Sequence, residues 1–420
     1  MRIMFVTNLY PPVVLGGYEL ACANVARGLA GRGHTVQVLT TWCHLPRLAD
    51  EPAWVHRDLD LHWHIPLKSH NPTVDQRDLH SAVCSSYANT LHLLDSLRAF
   101  RPDVVYVWNL LGIGGAAMLD LLNYVEVPWV LHLMDRVPLD IATNTPAAVL
   151  GLFNAQGSAL YARARIISMS QHLLDEIEMV SGITFPQGAD IVPGSADVSE
   201  ALPHEPYLRD GIARFVTAGA VSSHKGIDLI LQASVRLKAQ GLRFSVDIFG
   251  DGELPRYIDM ARTLQVDDRL HFLGPRPQAD LLRLYAAYDA FLFPTWEREP
   301  FGFAPVEAAG CGTPPIMTRN CGASERLVDD VHCIKIERSA SALADAMGRV
   351  ATNTLDLARI GRAGQRLVLS DLSFTRCLER IESALQAHGK GAWRHEAADD
   401  PALPLLAFLK HNLSVRLRFG

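Results

Sequence analysis

Two glutamates eight residues apart, Glu299 and Glu307, enclose the segment PFGFAPV. Carboxylates accept two hydrogen bonds with good geometry, so the pair suits a ligand rich in hydroxyl groups. Between them, Phe301, Gly302 and Phe303 are placed to offer the free amides of a helix N-terminus. Upstream, GAVSSHKGIDL (Gly219 to Leu229) joins a strand to a helix, with Lys225 and Gly226 at the helix start. A lysine charge beside free helix amides makes a phosphate site. IFGDGEL sets Gly250 and Gly252 behind a further strand. Near the start of the chain, YPPVVLGGYEL places Gly16 and Gly17 between the first strand and the first helix, where a backbone can approach an anion closely. His132 and Asp135 close the segment VPWVLHLMD. Taken singly, the glycine pair reads first as a turn and His132 first as a structural histidine.

These residues need a scaffold that brings strand ends together. Short apolar, β-prone segments alternate with helical stretches: RIMFVT from Arg2, TVQVLT from Thr35, VVYVW from Val104, VPWVLHL from Val127 and RIISM from Arg165. Strand, helix and strand within about 40 residues form a βαβ unit and hence a parallel sheet. The stretch Ala49 to Pro72 reads as irregular. A Pro-rich and acidic break follows at Pro193 to Asp210. The alternation then restarts with RFVTAGA, RFSVDIFG, LHFLG and AFLFP, which predicts a second α/β domain. Strand ends in such sheets open onto ligand crevices, and several of the marked segments lie at such ends. Phe374, Cys377, Leu378, Ile381 and Leu385 share one helical face. The tail PLLAFLKHNLSVRLRF reads as an element docked on the body, with a weak membrane-surface contact as its alternative.

Composition narrows the function. The chain has 420 residues, 49% of them apolar, and a net charge of −6. A nucleic-acid binder carries a basic excess, so no nucleic-acid partner is expected. Residues 1–190 hold 12 basic against 17 acidic side chains, a net of −5, which gives no general attraction to anionic membranes. The chain has neither an apolar run long enough to span a bilayer nor a basic start leading into an apolar core, as a secretory signal would. Seven scattered cysteines without a Cys-x-x-Cys pair fit reduced thiols in the cytoplasm.

Two other patterns compete. GIGGAA (Gly112 to Ala117), with Asp135 some way downstream, has the form of a dinucleotide fingerprint and would imply an NAD-dependent oxidoreductase. That fingerprint normally follows the first strand of its domain, and this one follows a later strand. His62 and His64, with His56 and His70 nearby, invite a metal reading, but no Cys or carboxylate cluster accompanies them, so no metal is expected.

Taken together, the segments resemble the family-4 retaining glycosyltransferases of the GT-B fold. The Glu-x7-Glu motif EPFGFAPVE carries the resemblance furthest, with CGASE ending at Glu325, Lys225-Gly226 and ISMSQ (Ile167 to Gln171) beside it. The resemblance implies two Rossmann-like doubly wound domains facing a cleft. Residues 1–195 would bind the acceptor and 196–370 the nucleotide-sugar. A helix at 371–388 would cross back to the first domain, and 389–420 would form a tail. It further implies that Gly16, Gly17 and Gly250 lie against the donor, that His132 touches the donor sugar beside the reacting carbon, and that Lys225 pairs with the diphosphate. Glu299 would hold sugar hydroxyls, with amides of Phe301, Gly302 and Phe303, and Glu307 the ribose. His132, Lys225 and Glu299 would then be the catalytic set.

The expected activity is transfer of a sugar from a nucleotide diphosphate to a hydroxyl acceptor (a glycan, a lipid-linked sugar or a small molecule). It would need no cofactor and no metal, in a cytoplasmic protein, with a peripheral membrane location as the alternative. A sugar-nucleotide-binding protein without transferase activity and an epimerase of similar fold are the alternatives. Two departures stand out. Ala220 occupies the position where the family has Arg, leaving Arg298, Arg319 and His224 as candidate substitutes, and the usual Pro-Asn-Gly-x-Asp hinge reads PGSAD at Pro193 to Asp197.

Overall fold

The computed structural model describes residues 1–43, 51–63, 78–389, 393 and 395–419. The chain forms two compact units. The first comprises Met1–Met169, Leu173–Val192 and Leu378–Gly420, and the second Ser170–His172 and Pro193–Cys377.

In the first unit, short runs of Val, Ile and Leu form β1 (Arg2–Val6), β2 (Thr35–Thr41), β3 (Val55–Leu59), β4 (Val104–Val107), β5 (Trp129–Leu133), β6 (Ala164–Ser168) and β7 (Ala189–Ile191). All pair in parallel, in the order β3-β2-β1-β4-β5-β6-β7. The central strands are buried along both faces, as expected of a parallel sheet. Between them run α1 (Gly17–Gly31), α2 (Tyr87–Phe100), α3 (Gly115–Tyr124), α4 (Val137–Asn144), α5 (Ala147–Leu152) and α6 (Gln171–Ser181).

The second unit repeats the plan. Its strands β8 (Ala213–Ala218), β9 (Phe244–Phe249), β10 (Leu270–Gly274), β11 (Ala290–Phe293), β12 (Pro315–Thr318) and β13 (Ile334–Ile336) stand in the order β10-β9-β8-β11-β12-β13. Its helices are α7 (Ile227–Ala239), α8 (Leu254–Thr263), α9 (Gln278–Tyr285), α10 (Phe303–Gly310), α11 (Ala340–Ala351) and α12 (Leu357–Ser370). Phe215, Val246, Ile248, Leu292 and Ile316 form the floor of its core. In each sheet the order reverses once, between β1 and β4 and between β8 and β11. Such switch points are where doubly wound sheets bind ligands.

The chain continues with α13 (Phe374–His388) and α14 (Leu403–Phe419). Cys377, Leu378, Ile381 and Leu385 form the buried face of α13. The tail is the docked helix α14, which packs on α2 and α5. His80 meets the hydroxyl of buried Ser414 at 2.8 Å, and Lys410 donates to Asp120 at 2.6 Å. Leu405, Phe408, Leu409 and Leu413 lie exposed on its outer side. Among the described residues, no helix is long and apolar enough to cross a membrane.

The irregular reading of Ala49 to Pro72 needs correction, because β3 lies inside it. His56, Arg57 and Asp58 interrupt its apolar pattern, and the strand survives because it pairs on one side only, with β2. The edge strands β7 and β13 are only three residues long, too short to show a period.

Candidate active site

The switch point of the second sheet assembles the acidic and basic candidates. Lys225 follows β8, in the loop that opens α7, and Glu299 follows β11. Lys225 Nζ donates to Glu299 Oε2, and the Thr295 hydroxyl donates to the same oxygen at 3.0 Å. The Lys225 ammonium also stands 5.5 Å above the Phe293 ring. The Glu299 side chain is 11% exposed and that of Lys225 30%, so the carboxylate is sheltered and the cation faces outward. Gly226 caps α7 at φ +75°, and a Cβ there would stand 2.3 Å from the carbonyl oxygen of Pro294. Glycine is therefore what allows Lys225 to lie this close to the β11 loop.

The loop carrying Glu299 is pinned from several sides. The Gly322 amide donates to the Glu299 carbonyl at 3.3 Å, and the Ala323 amide to the Phe301 carbonyl at 2.8 Å. The hydroxyl of Ser170 donates to the Pro300 carbonyl at 2.6 Å. Phe301 is fully buried, and its ring meets that of Phe303 edge-on. Gly302, at φ +95°, caps α10, so the helix begins at Phe303 and aims its first amides into this loop. Glu307 lies one turn further along this buried helix and is 8% exposed. Gln278 of α9 donates its side-chain amide to Glu307 Oε1. Burial raises the Glu307 carboxyl above the usual range, and the Gln278 bond partly offsets it. Glu299 and Glu307 are thus held apart by the first turn of α10, each with its own polar partner. At the end of β9, the Gly250 amide donates to the Gly274 carbonyl at 3.0 Å.

Glu325 has a structural duty in this unit. Its carboxylate accepts from the backbone amides of Gln171 at 2.9 Å and His172 at 2.6 Å. The three candidate substitutes for the missing arginine divide. Arg319 pairs with Asp329 at 3.0 Å and Glu337 at 3.3 Å, and two carboxylates commit its charge. The His224 ring packs edge-on against Trp296, and the Arg298 guanidinium lies over the same indole, 5.6 Å from its ring centroid.

In the first unit, His132 is the penultimate residue of β5 and is 5% exposed. Its ring packs against Trp108, with centroids 4.3 Å apart, and stacks on Tyr106 at 5.8 Å. The Tyr106 hydroxyl lies 2.6 Å from His132 Nδ1. Burial depresses the imidazole pKa to about 3, so the ring is neutral. Tyr18, in the first turn of α1, donates its hydroxyl to the carbonyls of Trp108 at 2.7 Å and His132 at 3.3 Å. That side chain fixes the Gly16-Gly17 turn to the ends of β4 and β5. The Gly16 amide is engaged by Glu19 Oε2 at 3.0 Å, which leaves Gly17 and the first turn of α1 as the open part of the loop. Asp135 is half exposed and accepts from the Arg136 amide.

The described residues of the two other patterns have partners of their own. The Gly112 and Gly114 amides both donate to the Ala82 carbonyl, at 2.8 and 3.1 Å, so GIGGAA offers no open cradle for a pyrophosphate. His62 Nε2 meets the Ser86 hydroxyl at 3.0 Å, and His56 lies 3.9 Å from Asp58. His64 and His70 lie outside the described residues. Among the described residues, no group of three or more potential ligands could hold a metal ion.

Two family profiles match the chain. "Glycosyl transferase 4-like domain" covers residues 16–184, and "Glycosyl transferases group 1" covers residues 202–367. The chain belongs to the family-4-like glycosyltransferases of the GT-B fold. It is similar to the glycogen synthase of Mycobacterium tuberculosis, with 25% identity over 97% of this chain and 98% of the relative. It is also similar to the D-inositol 3-phosphate glycosyltransferase of Nocardia farcinica, with 25% identity over 91% of this chain and 86% of the relative. The fold matches a glycosyltransferase of Rickettsia africae, with a TM-score of 0.68, 14% identity and coverage of 93% and 99%. It also matches Anabaena HepE in complex with UDP and glucose, with a TM-score of 0.63, 18% identity and coverage of 92% and 100%.

In each unit, several partners of the candidate residues gave no motif signal. Tyr18, Tyr106 and Trp108 belong to none of the motifs, although Tyr106 and Trp108 share a face of the predicted strand VVYVW with period two. Thr295 and Gln278 lie 4 and 29 residues from the glutamates they contact, and only the folded chain pairs them.

Proposed function

We propose that the glycosyltransferase is retaining and metal-independent, and moves a hexose-type sugar from a nucleotide diphosphate to a hydroxyl acceptor. The observation that carries this reading is the Lys225–Glu299 pair at the β8/β11 switch point, set against the N-terminus of α10. Lys225 is the cation that meets the diphosphate, and Glu299 accepts hydrogen bonds from hydroxyls of the transferred sugar. Amides of the first turn of α10 face the same group, and Glu307 takes the ribose hydroxyls. Charge that grows on the leaving diphosphate is met by groups already oriented for it.

In the proposed step the acceptor oxygen bonds to the anomeric carbon on the face from which the diphosphate oxygen departs. The acceptor proton passes to that departing phosphate oxygen, and configuration is kept. Lys225 supports the leaving group and His132 holds the sugar. Thermal-shift screening against UDP, GDP, ADP and dTDP sugars identifies the donor, since a ligand at 100 times its Kd adds about 2.7 kcal/mol of stability. Proton NMR of the first product then reads the anomer, with and without EDTA. An inverted product, or activity abolished by EDTA and restored by a divalent ion, overturns the reading.

A further inference from the structure

We propose that Tyr106 is a positioning residue that fixes His132 as its neutral Nε2–H tautomer, so that His132 serves the reaction as a hydrogen-bond donor and never as a base. This rests on the proposed role of His132 at the donor sugar.

The geometry around the ring carries it. The imidazole is closed in by Trp108 and Tyr106, and its Nδ1 is taken by the Tyr106 hydroxyl at 2.6 Å. Both side chains are buried, Tyr106 completely. A phenol is the better donor of the two groups and an imidazole nitrogen the better acceptor, so the proton belongs on the tyrosine oxygen and points to Nδ1. A neutral imidazole carries one N–H, which is then on Nε2. Nε2 has no hydrogen-bond partner among the described residues, nor is it among the sealed, unpartnered atoms of the interior. It is therefore the free polar edge of an otherwise enclosed ring. The indole packed against this ring, that of Trp108, has a buried Nε1 that also lacks a partner among the described residues. Burial disfavours the imidazolium, which keeps the ring neutral across the working pH range.

This arrangement has a chemical consequence. A ring presented as Nε2–H holds a sugar hydroxyl oxygen by donating to it, and it cannot accept the acceptor's proton. The acceptor proton must leave by another route, consistent with transfer to the departing phosphate. Tyr106 touches no substrate in this scheme and acts through the ring.

The test uses the full chain with 15N-labelled histidine, read by two-bond proton–nitrogen correlation, with the His132 signals assigned by their loss in His132→Gln. The expected spectrum has a protonated Nε2 and an unprotonated, hydrogen-bonded Nδ1, unchanged from pH 5 to 9. A protonated Nδ1, or a ring that titrates in that range, overturns the proposal. Tyr106→Phe should move the Nδ1 resonance to that of a free acceptor and lower kcat roughly tenfold, the scale of one neutral hydrogen bond. Nucleotide-diphosphate affinity should stay unchanged. Wild-type kcat in Tyr106→Phe also overturns it. Full turnover in His132→Ala would instead remove the proposed role of His132 at the sugar and leave the tautomer reading to stand or fall by its spectrum.

Discussion

Lys225 and Glu299 are 74 residues apart in sequence and share a salt bridge across the point where the second sheet reverses its strand order. Each neutralises the other before any ligand arrives. On the proposed reading, a bound diphosphate would draw the ammonium and sugar hydroxyls the carboxylate, so the two halves of the pair would separate their duties. Lys225→Ala should lower turnover by roughly 10²-fold, the scale of one oriented charge stabiliser. Removing both members should cost less than the sum of the single losses, because each single variant strands the other charge. Strictly additive kinetics in the double variant would refute the coupling. Ala220→Arg adds the family's second cation, and donor Kd should fall.

Glu299 and Glu307 should separate by calorimetry. Glu307→Ala should weaken both nucleotide diphosphate and nucleotide-sugar by roughly 1.5–3 kcal/mol, as for hydrogen bonds to a charged group. Glu299→Ala should spare the free nucleotide while damaging nucleotide-sugar binding and rate. Equal losses for both ligands in both variants would end this division.

If Glu307 takes the ribose as proposed, its raised carboxyl should make nucleotide affinity pH-dependent. In the proposed arrangement a ribose hydroxyl would donate to the carboxylate, and the neutral acid is a weaker acceptor. Affinity should therefore fall as pH drops through the elevated Glu307 pKa, above the usual carboxylate range. Glu307→Gln keeps an acceptor oxygen for the Gln278 amide and should bind weakly with a flat profile. Titrations of Kd against pH decide it.

His132 should shape acid stability. Its folded pKa of about 3 lies below the unfolded value near 6.5, so between those limits the unfolded chain binds one more proton. Stability then falls as pH falls, by up to ~1.4 kcal/mol per unit. His132→Gln should be less steep over this window, as read from denaturant midpoints at stepped pH. Identical slopes would place the ring in contact with water.

Helix α14 should depend on the Lys410–Asp120 pair, both of whose side chains are largely sheltered. Burial raises the Asp120 carboxyl, and Lys410 offsets this. Lys410→Met should destabilise the chain by roughly 2–3 kcal/mol, somewhat below the loss from breaking a fully buried pair. Adding Asp120→Asn should restore much of it. Calorimetric melting of both variants measures the difference.

Much of this protein was legible along the chain. Strand periodicity, the break at Pro193, the Lys225-Gly226 turn and the Glu-x7-Glu spacing are local properties, and local backbone preference decides them. The same locality explains the misses. The edge strand β3 carries His56, Arg57 and Asp58, so its apolar pattern is too short to register, and only pairing with β2 makes it a strand. The partners that tune the site were invisible for another reason. Tyr106 reaches His132, Gln278 reaches Glu307 and Lys225 reaches Glu299 because parallel strands align their C-terminal ends, whatever the number of residues between them. Residue type set which groups could do chemistry. Sheet register and the point of strand reversal decided which of them meet, what charge each carries, and which nitrogen of His132 is left open.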